Sequence, residues 1–260
     1  MRKRKFDFLV KPLFLSLIIL LVSAFIIGSI WEALTTSDYF KVNDIISKDM
    51  LSVDLSYLRG RNIFTLNLPG ESATIIKVCP DCLRVRLARV FPDRVFVEFV
   101  RRKPVASVKL YRYFSVDQDG VFFSSSLGPQ DSGLPLIIGL ETRIFGIKPG
   151  KRCDAKELVL ALDIIKEVKK TRLLRDFKIQ KIEVAGANDI TISIPLIPKS
   201  FSYSNGQAAL KQEFLEVKIS QGNIAEKIAV MAGLINQERQ NLSNIKYIDL
   251  RFKEPVIKFK

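Results

Sequence analysis

Residues Leu13 to Ile30 read LFLSLIILLVSAFIIGSI, an apolar run without a charged side chain. The uncharged run extends from Pro12 to Trp31, and a helix of that length spans about 30 Å, the thickness of a bilayer's hydrocarbon core. We therefore predict a transmembrane helix over residues 13–31. Trp31 ends the run, at the place where an interfacial aromatic ring anchors a span.

The segment before this run, residues 1–12, is basic. Its single acid is Asp7, against the basic residues Arg2, Lys3, Arg4, Lys5 and Lys11. Positive charge beside a span holds that end in the cytoplasm. This predicts a cytoplasmic tail over residues 1–12 and a single-pass type II protein of the cytoplasmic (inner) membrane, with its bulk extracytoplasmic (periplasmic). A cleaved signal peptide is the alternative, but its apolar region has about 7–15 residues followed by small residues, and this run is longer and continues into Trp31-Glu32.

Composition narrows the function classes. Lys and Arg outnumber Asp and Glu by 41 to 27 in 260 residues, and histidine is absent. The absence of histidine excludes Ser-His and Cys-His nucleophiles but not an enzyme built on carboxylates or lysine. The net charge of +14 predicts a basic exported surface that is either simply solvated or faces anionic headgroups, acidic wall polymers or an acidic partner. We expect no nucleic acid, because the compartment is wrong, and no cofactor or metal.

The three cysteines are Cys79, Cys82 and Cys153. The first two have the spacing of a redox dithiol, but they follow a helical pattern and precede a strand, which is the reverse of the thioredoxin order. A zinc site would need a second pair of ligands. The spacing is more typical of a structural pair that can form a local disulfide, with Cys153 buried or free.

Residues 39–103 predict a small α+β domain. The pattern indicates a strand over Tyr39–Ser47, a short helix ending at Leu58, a helix over Glu71–Val78, and strands over Leu83–Val90 and Arg94–Val100. In the order β-α-α-β-β, the two helices can cover one face of a three-stranded sheet.

A second domain is predicted over residues 104–260. Arg101-Arg102-Lys103-Pro104 marks the boundary, because a charge run followed by proline disfavours a continuing central strand. Beyond it, apolar and polar residues mostly alternate as in short strands. Two stretches have helical periodicity instead: one begins at Asp154, which forms a capping box with Glu157, and the other covers Ala225–Gln240. We predict a mainly antiparallel β domain with two packed helices, and an α+β fold class for the chain.

The C-terminal tail predicts a sheet edge. Alternation over Asn244–Phe252 indicates a last strand, but the apolar residues change phase after Lys253-Glu254-Pro255. Such a phase change predicts a bulge or kink, and proline within a strand places it at an edge. An exposed edge either carries guarding charges or recruits a partner's strand or helix. The lysines available as guards are Lys253, Lys258 and Lys260.

Five stretches, in this order, resemble the FtsQ/DivIB family of bacterial cell-division proteins. Leu58–Leu66, Arg89–Ala106, Val116–Phe122, Leu134–Gly139 and Tyr247–Phe252 resemble the family patterns LxGxNIFxL, RxxPxxVxVxxxERKPVA, VDxxGxVF, LPxxxG and YIDLRF. Arg101 departs from the pattern, since the family often has Glu there. The resemblance implies a membrane-proximal POTRA domain, here residues 39–103, followed by the β domain of residues 104–260.

The resemblance also implies a function. Members of the family act in the divisome at the division septum, bind the small coiled-coil division proteins FtsB and FtsL, and through them regulate septal wall synthesis, while the POTRA domain contacts other divisome components. It implies a non-catalytic protein whose partner contact lies along the C-terminal edge strand. The residues expected in that contact are Tyr247, Asp249, Arg251, Phe252, Lys253, Val256, Ile257, Lys258 and Phe259.

Two other classes compete with this interpretation. One is a membrane-anchored envelope enzyme, either a thiol oxidoreductase using Cys79 and Cys82 or a carboxylate-based wall hydrolase, although no pair of acids stands out in the sequence. The other is a POTRA-bearing chaperone or secretion component. Such proteins usually repeat the unit or end in a barrel, and the sequence contains neither pattern.

Overall fold

The apolar N-terminal stretch forms one long helix, α1, from Lys3 to Thr36. The computed structural model describes residues 3–48, 53–124, 133–196 and 213–260. Within those ranges, one helical segment, Phe14–Thr36, is long and apolar enough to cross a membrane, and its most apolar stretch is not covered by protein. The predicted apolar helix is therefore present, and it continues five residues beyond Trp31.

The chain divides into two compact units, residues 1–100 and 101–260. After α1, the first unit contains a 3-10 helix (Asp38–Phe40), strand β1 (Asp44–Ser47), a 3-10 helix (Ser56–Leu58), helix α2 (Leu68–Val78), and strands β2 (Cys82–Val90) and β3 (Arg94–Arg101). The sheet order is β1-β3-β2, with β1 parallel to β3. Helix α2 packs on β2, so that Ile75 shares a core with Val85, Val95 and Val97.

Three local predictions in this unit differ from the structure. The first predicted helix is a single 3-10 turn, and the first strand begins at Asp44 because a 3-10 helix occupies Asp38–Phe40. Helix α2 begins at Leu68, three residues before its predicted start at Glu71. The Asn67 side chain accepts a hydrogen bond from the Gly70 N–H at 3.2 Å, and proline is well tolerated in a first helical turn.

The second unit is built on a nine-stranded sheet. Its strands are β4 (Ala106–Lys109), β5 (Tyr113–Val116), β6 (Phe122–Ser124), β7 (Leu136–Ile138), β8 (Lys181–Gly186), β9 (Asp189–Pro195), β10 (Phe214–Ile219), β11 (Ile245–Asp249) and β12 (Val256–Phe259). In the described ranges their order is β12-β11-β10-β9-β8-β7-β4-β5-β6. Five neighbouring pairs are antiparallel, while β4–β7, β7–β8 and β10–β11 are parallel. The predicted α+β class with a mainly antiparallel sheet is confirmed.

Two helices, α3 (Lys156–Lys170) and α4 (Ile224–Gln237), pack against each other and share one hydrophobic core with this sheet. The capping box predicted for α3 is absent. Ala155 occupies the cap position and has no side-chain group to accept a hydrogen bond, while Asp154 pairs with Arg152 and Glu157 pairs with Arg143. The helix therefore begins one residue later than a capping box headed by Asp154 requires.

Candidate partner-binding edge of the second unit

Strand β12 lies at one edge of the nine-stranded sheet, paired on one side with β11. The edge position predicted from Pro255 is therefore confirmed. The Lys260 N–H donates to the Asn244 carbonyl at 2.8 Å, so this end of the chain faces β11. Because backbone N–H groups alternate along a strand, those of Ile257 and Phe259 point away from the sheet. In the described part of the chain, this side of β12 carries no further strand, which leaves its backbone groups available to one.

The chain reaches this edge through a hairpin, so the phase change that predicted a bulge or kink marks a full reversal of the chain. Strand β11 ends at Asp249, and Val256 pairs back onto it in antiparallel register. Phe252 therefore lies on the connecting turn, with 65% of its surface exposed, while Leu250 is buried. Both follow the alternation of β11, so the apolar pattern up to Phe252 does not show that the strand has already ended at Asp249. The register irregularity lies on β11 itself, between Ile245 and Tyr247.

An ion pair stabilises the start of the turn. Asp249 is buried, and its carboxylate accepts hydrogen bonds from the Arg251 backbone N–H at 3.0 Å and from Arg251 Nη2 at 2.7 Å. Arg251 Nη1 also donates to Asp189 Oδ1 at 3.1 Å, which ties the turn to β9. The hydrogen bonds from Arg251 hold the pKa of Asp249 below its usual value.

The edge combines positive charge with exposed apolar surface. The Tyr247 ring is flanked by Lys218 Nζ at 4.8 Å and Lys258 Nζ at 5.9 Å from its centroid, within reach of a cation–π interaction. Val256 and Phe259 are about half exposed, at 47% and 54%. Ile257, which pairs with Ile248, packs against the core. The surface is therefore suited to an extended segment that carries acidic and apolar side chains.

A groove of about 480 Å³ adjoins the hairpin, between its turn and the start of α4. Phe252 and Pro255 line one side, and Lys227 and Val230 of α4 line the other. The Lys227 ammonium donates to the Ser220 hydroxyl at 2.6 Å and to nearby backbone carbonyls. Burial lowers the pKa of Lys227. Sequence reasoning did not find this groove, because its two sides lie more than twenty residues apart and carry no motif.

All the residues predicted for partner contact lie on this one hairpin, but they differ in exposure. Asp249 is buried and serves the turn, while Tyr247, Arg251 and Ile257 are partly buried. The remaining residues are exposed: Phe252, Lys253, Val256, Lys258 and Phe259.

The other chemical feature found in the sequence is the cysteine pair. Cys79 and Cys82 form a disulfide bond at the connection from α2 to β2, with their Cα atoms 5.3 Å apart. Both are buried, at 4% and 1% exposure, whereas catalytic thiols are partly exposed. Cys153 is free and half-buried. In the described ranges, no three His, Cys, Asp or Glu side chains are grouped as a metal ion requires.

In the part of the chain that the structure describes, one helix apolar and long enough to span a membrane precedes an α+β region, which is the arrangement of a single-pass membrane protein. The family model for the C-terminal region of the cell division protein FtsQ/DivIB matches residues 106–251, which is more than half of the chain. The chain therefore belongs to the FtsQ/DivIB family, as its motifs predicted. This is a family of cell-division proteins and not a known enzyme family.

Two relatives extend the similarity beyond the matched region. The cell division protein FtsQ of Geotalea daltonii is 22% identical over 236 residues, which cover 88% of this chain and 78% of that protein. The cell division protein FtsQ of Syntrophotalea carbinolica is 23% identical over 205 residues, covering 74% of this chain and 72% of that protein. The similarity therefore includes much of the first unit as well as the large sheet.

Proposed function

We propose that this protein is a non-catalytic, bitopic assembly component of the divisome. It binds FtsB/FtsL-type coiled-coil partners through the β11–β12 hairpin and thereby helps to control septal wall synthesis. The observation that carries the proposal is the outer side of β12, where backbone groups face away from the sheet beside exposed Val256 and Phe259. A partner strand added there would extend the sheet without rearranging its core.

The chemistry of the hairpin favours a particular kind of partner segment. Lys218 and Lys258 place positive charge on either side of Tyr247, so an acidic side chain on the incoming strand would be attracted. The adjoining groove between the turn and α4 has room for a helical turn that follows such a strand. Short edge strands that carry lysines usually prevent unwanted strand pairing. A partner strand that pairs with β12 must therefore carry negative charge that compensates these lysines.

Family membership and the N-terminal charge support a domain arrangement and a topology. We assign residues 1–12 to the cytoplasm, 13–31 to the membrane, 39–103 to a POTRA domain that contacts other divisome components, and 104–260 to the partner-binding domain. The bulk of the chain then lies outside the cytoplasmic membrane, at the septum. The basic tail is the feature that sets this orientation.

Site-specific photocrosslinking in dividing cells tests the proposal. A photoreactive phenylalanine analogue at Phe259 should crosslink a small single-pass division protein of the FtsB/FtsL type. The matched control is Phe145 in the same unit, whose ring is 77% exposed but lies outside the hairpin; it should give no such product. Equal crosslinking from both positions, or none from Phe259 while division proceeds, would contradict the assignment of the edge.

A further inference from the structure

The junction between α1 and the rest of the first unit carries a chain of aromatic rings. Trp31 on α1 contacts Phe64, with ring centroids 6.3 Å apart. Phe64 in turn contacts Phe40 at 5.1 Å and Phe91 at 5.3 Å, and Phe40 contacts Tyr39 at 5.2 Å. The outer members of the chain remain open to solvent: Trp31 is 55% exposed, Tyr39 68% and Phe91 57%. We call Trp31, Tyr39 and Phe91 the aromatic patch.

The patch is attached to the spanning helix without a flexible linker. Only Ser37 separates α1 from the 3-10 helix that carries Tyr39. The buried Asn62 side chain donates to the Leu34 carbonyl in the last turn of α1 at 2.9 Å, and its oxygen accepts from the Phe64 N–H at 2.8 Å. The terminal carbonyls of a helix have no partner within the helix, so this bond uses one of them to hold the helix end against the folded unit.

The position of Trp31 sets the level of the patch relative to the bilayer. The apolar run ends at Trp31, so its ring lies at the boundary between hydrocarbon and headgroups, where Trp and Tyr concentrate. The two ring contacts through Phe64 place Phe91 within about 12 Å of Trp31. A headgroup layer is roughly 5–8 Å thick on each side of the hydrocarbon core, and a ring held this close to the boundary can reach it.

We propose that Trp31, Tyr39 and Phe91 form a membrane-docking surface, which binds the first unit to the headgroup layer at the C-terminal end of α1. The occupant is the lipid of the same bilayer that α1 spans, because the patch is continuous with the spanning helix through the Trp31–Phe64 contact. The rings of Trp31 and Tyr39 are amphipathic and suit this layer, where one part of the ring is apolar and the other is wet, and Phe91 adds apolar surface beside them. The unit is thereby oriented as well as tethered.

The test uses the full chain in vesicles of phosphatidylethanolamine and phosphatidylglycerol. Trp31 is the only tryptophan. Trp31→Phe therefore keeps an aromatic ring at this position and removes the background emission, so that one introduced tryptophan can serve as the reporter. Phe91→Trp and, independently, Tyr39→Trp report from the patch. The matched control is Leu83→Trp, which is 46% exposed and lies near the other end of β2, roughly 23 Å from Val90 at strand spacing.

Lipid brominated near the headgroup end of its acyl chains should quench Phe91→Trp and Tyr39→Trp at least about threefold more than Leu83→Trp, because bromine at the boundary of the hydrocarbon core quenches only rings that lie close to it. Acrylamide in the aqueous phase should show the opposite order. Equal lipid quenching of the patch and control reporters would overturn the proposal. Patch reporters shielded from both quenchers would overturn it too, since protein rather than lipid would then cover the rings.

Discussion

The outward N–H of Phe259 gives the sharpest perturbation of the partner-binding edge. Proline at position 259 removes that N–H, and the preceding residue stays compatible with extended backbone. The inward ladder is retained, because Lys260 donates the N–H that bonds Asn244. Phe259→Ala is the matched control, since it loses the same half-exposed ring and keeps the N–H. The difference between the two variants isolates the backbone contact.

The magnitude follows from one lost backbone hydrogen bond and the bulk of the ring. A net hydrogen bond contributes about 0.5–1.5 kcal/mol, and the proline ring also displaces the incoming strand. We expect Phe259→Pro to bind the FtsB/FtsL-type partner about 1–3 kcal/mol more weakly than Phe259→Ala, which is roughly a 5- to 150-fold increase in Kd. Isothermal calorimetry on the two variants measures the difference.

Lys258→Pro separates binding from folding. Its N–H faces β11 by the same alternation, so its loss should lower the unfolding free energy by about 1–3 kcal/mol and shift the thermal midpoint. Phe259→Pro should leave that midpoint close to the Phe259→Ala value. If Phe259→Pro and Phe259→Ala bind the partner equally, strand addition at β12 is refuted.

Three further predictions concern the supports of the two units. Asp249→Asn should lower the unfolding free energy by about 1.5–3 kcal/mol in chemical denaturation. Because the folded pKa of Asp249 is lowered, its contribution is present above the ordinary value of about 3.9 and is lost as the pH falls through the folded value; a wild-type stability that stays flat below pH 4 would contradict this. Asn62→Ala should cost about 1–3 kcal/mol and speed amide exchange in the last turn of α1, with Asn43→Ala as a surface control; unchanged exchange would mean that the Leu34 contact does not hold the helix. Replacing Cys79 and Cys82 by serine should cost about 2 kcal/mol for so short a loop and leave partner affinity intact; lost division activity in a stably folded variant would restore the redox hypothesis.

Much of the architecture is readable from the sequence, because it depends on patterns that are local. An uncharged run as long as Leu13–Ile30 has few stable alternatives to a spanning helix. Pro255 restricts its segment to a sheet edge through a missing donor. The family motifs likewise lie on single stretches of chain.

The remaining features depend on contacts that local patterns do not encode. The hairpin forms where Asp249 and Arg251 close a turn that joins β9 as well, although Leu250 and Phe252 preserve the alternation of a straight strand. The capping box at Asp154 and Glu157 is absent because the helix begins one residue later, at a cap position occupied by Ala155, and both carboxylates form ion pairs with arginines from outside the helix. The bond from Asn62 to Leu34 joins two residues that lie outside the predicted helices and strands and 28 positions apart in the sequence.

Residue-resolved amide exchange on β12, with and without the FtsB/FtsL-type partner, tests the central claim most directly. The N–H groups of Ile257 and Phe259 should exchange readily in the free protein and slow by at least about 100-fold in the complex, while the inward N–H of Lys260 is protected in both. Unchanged exchange at Ile257 and Phe259 in a saturated complex would show that the partner binds elsewhere, and would contradict the proposed function of the edge.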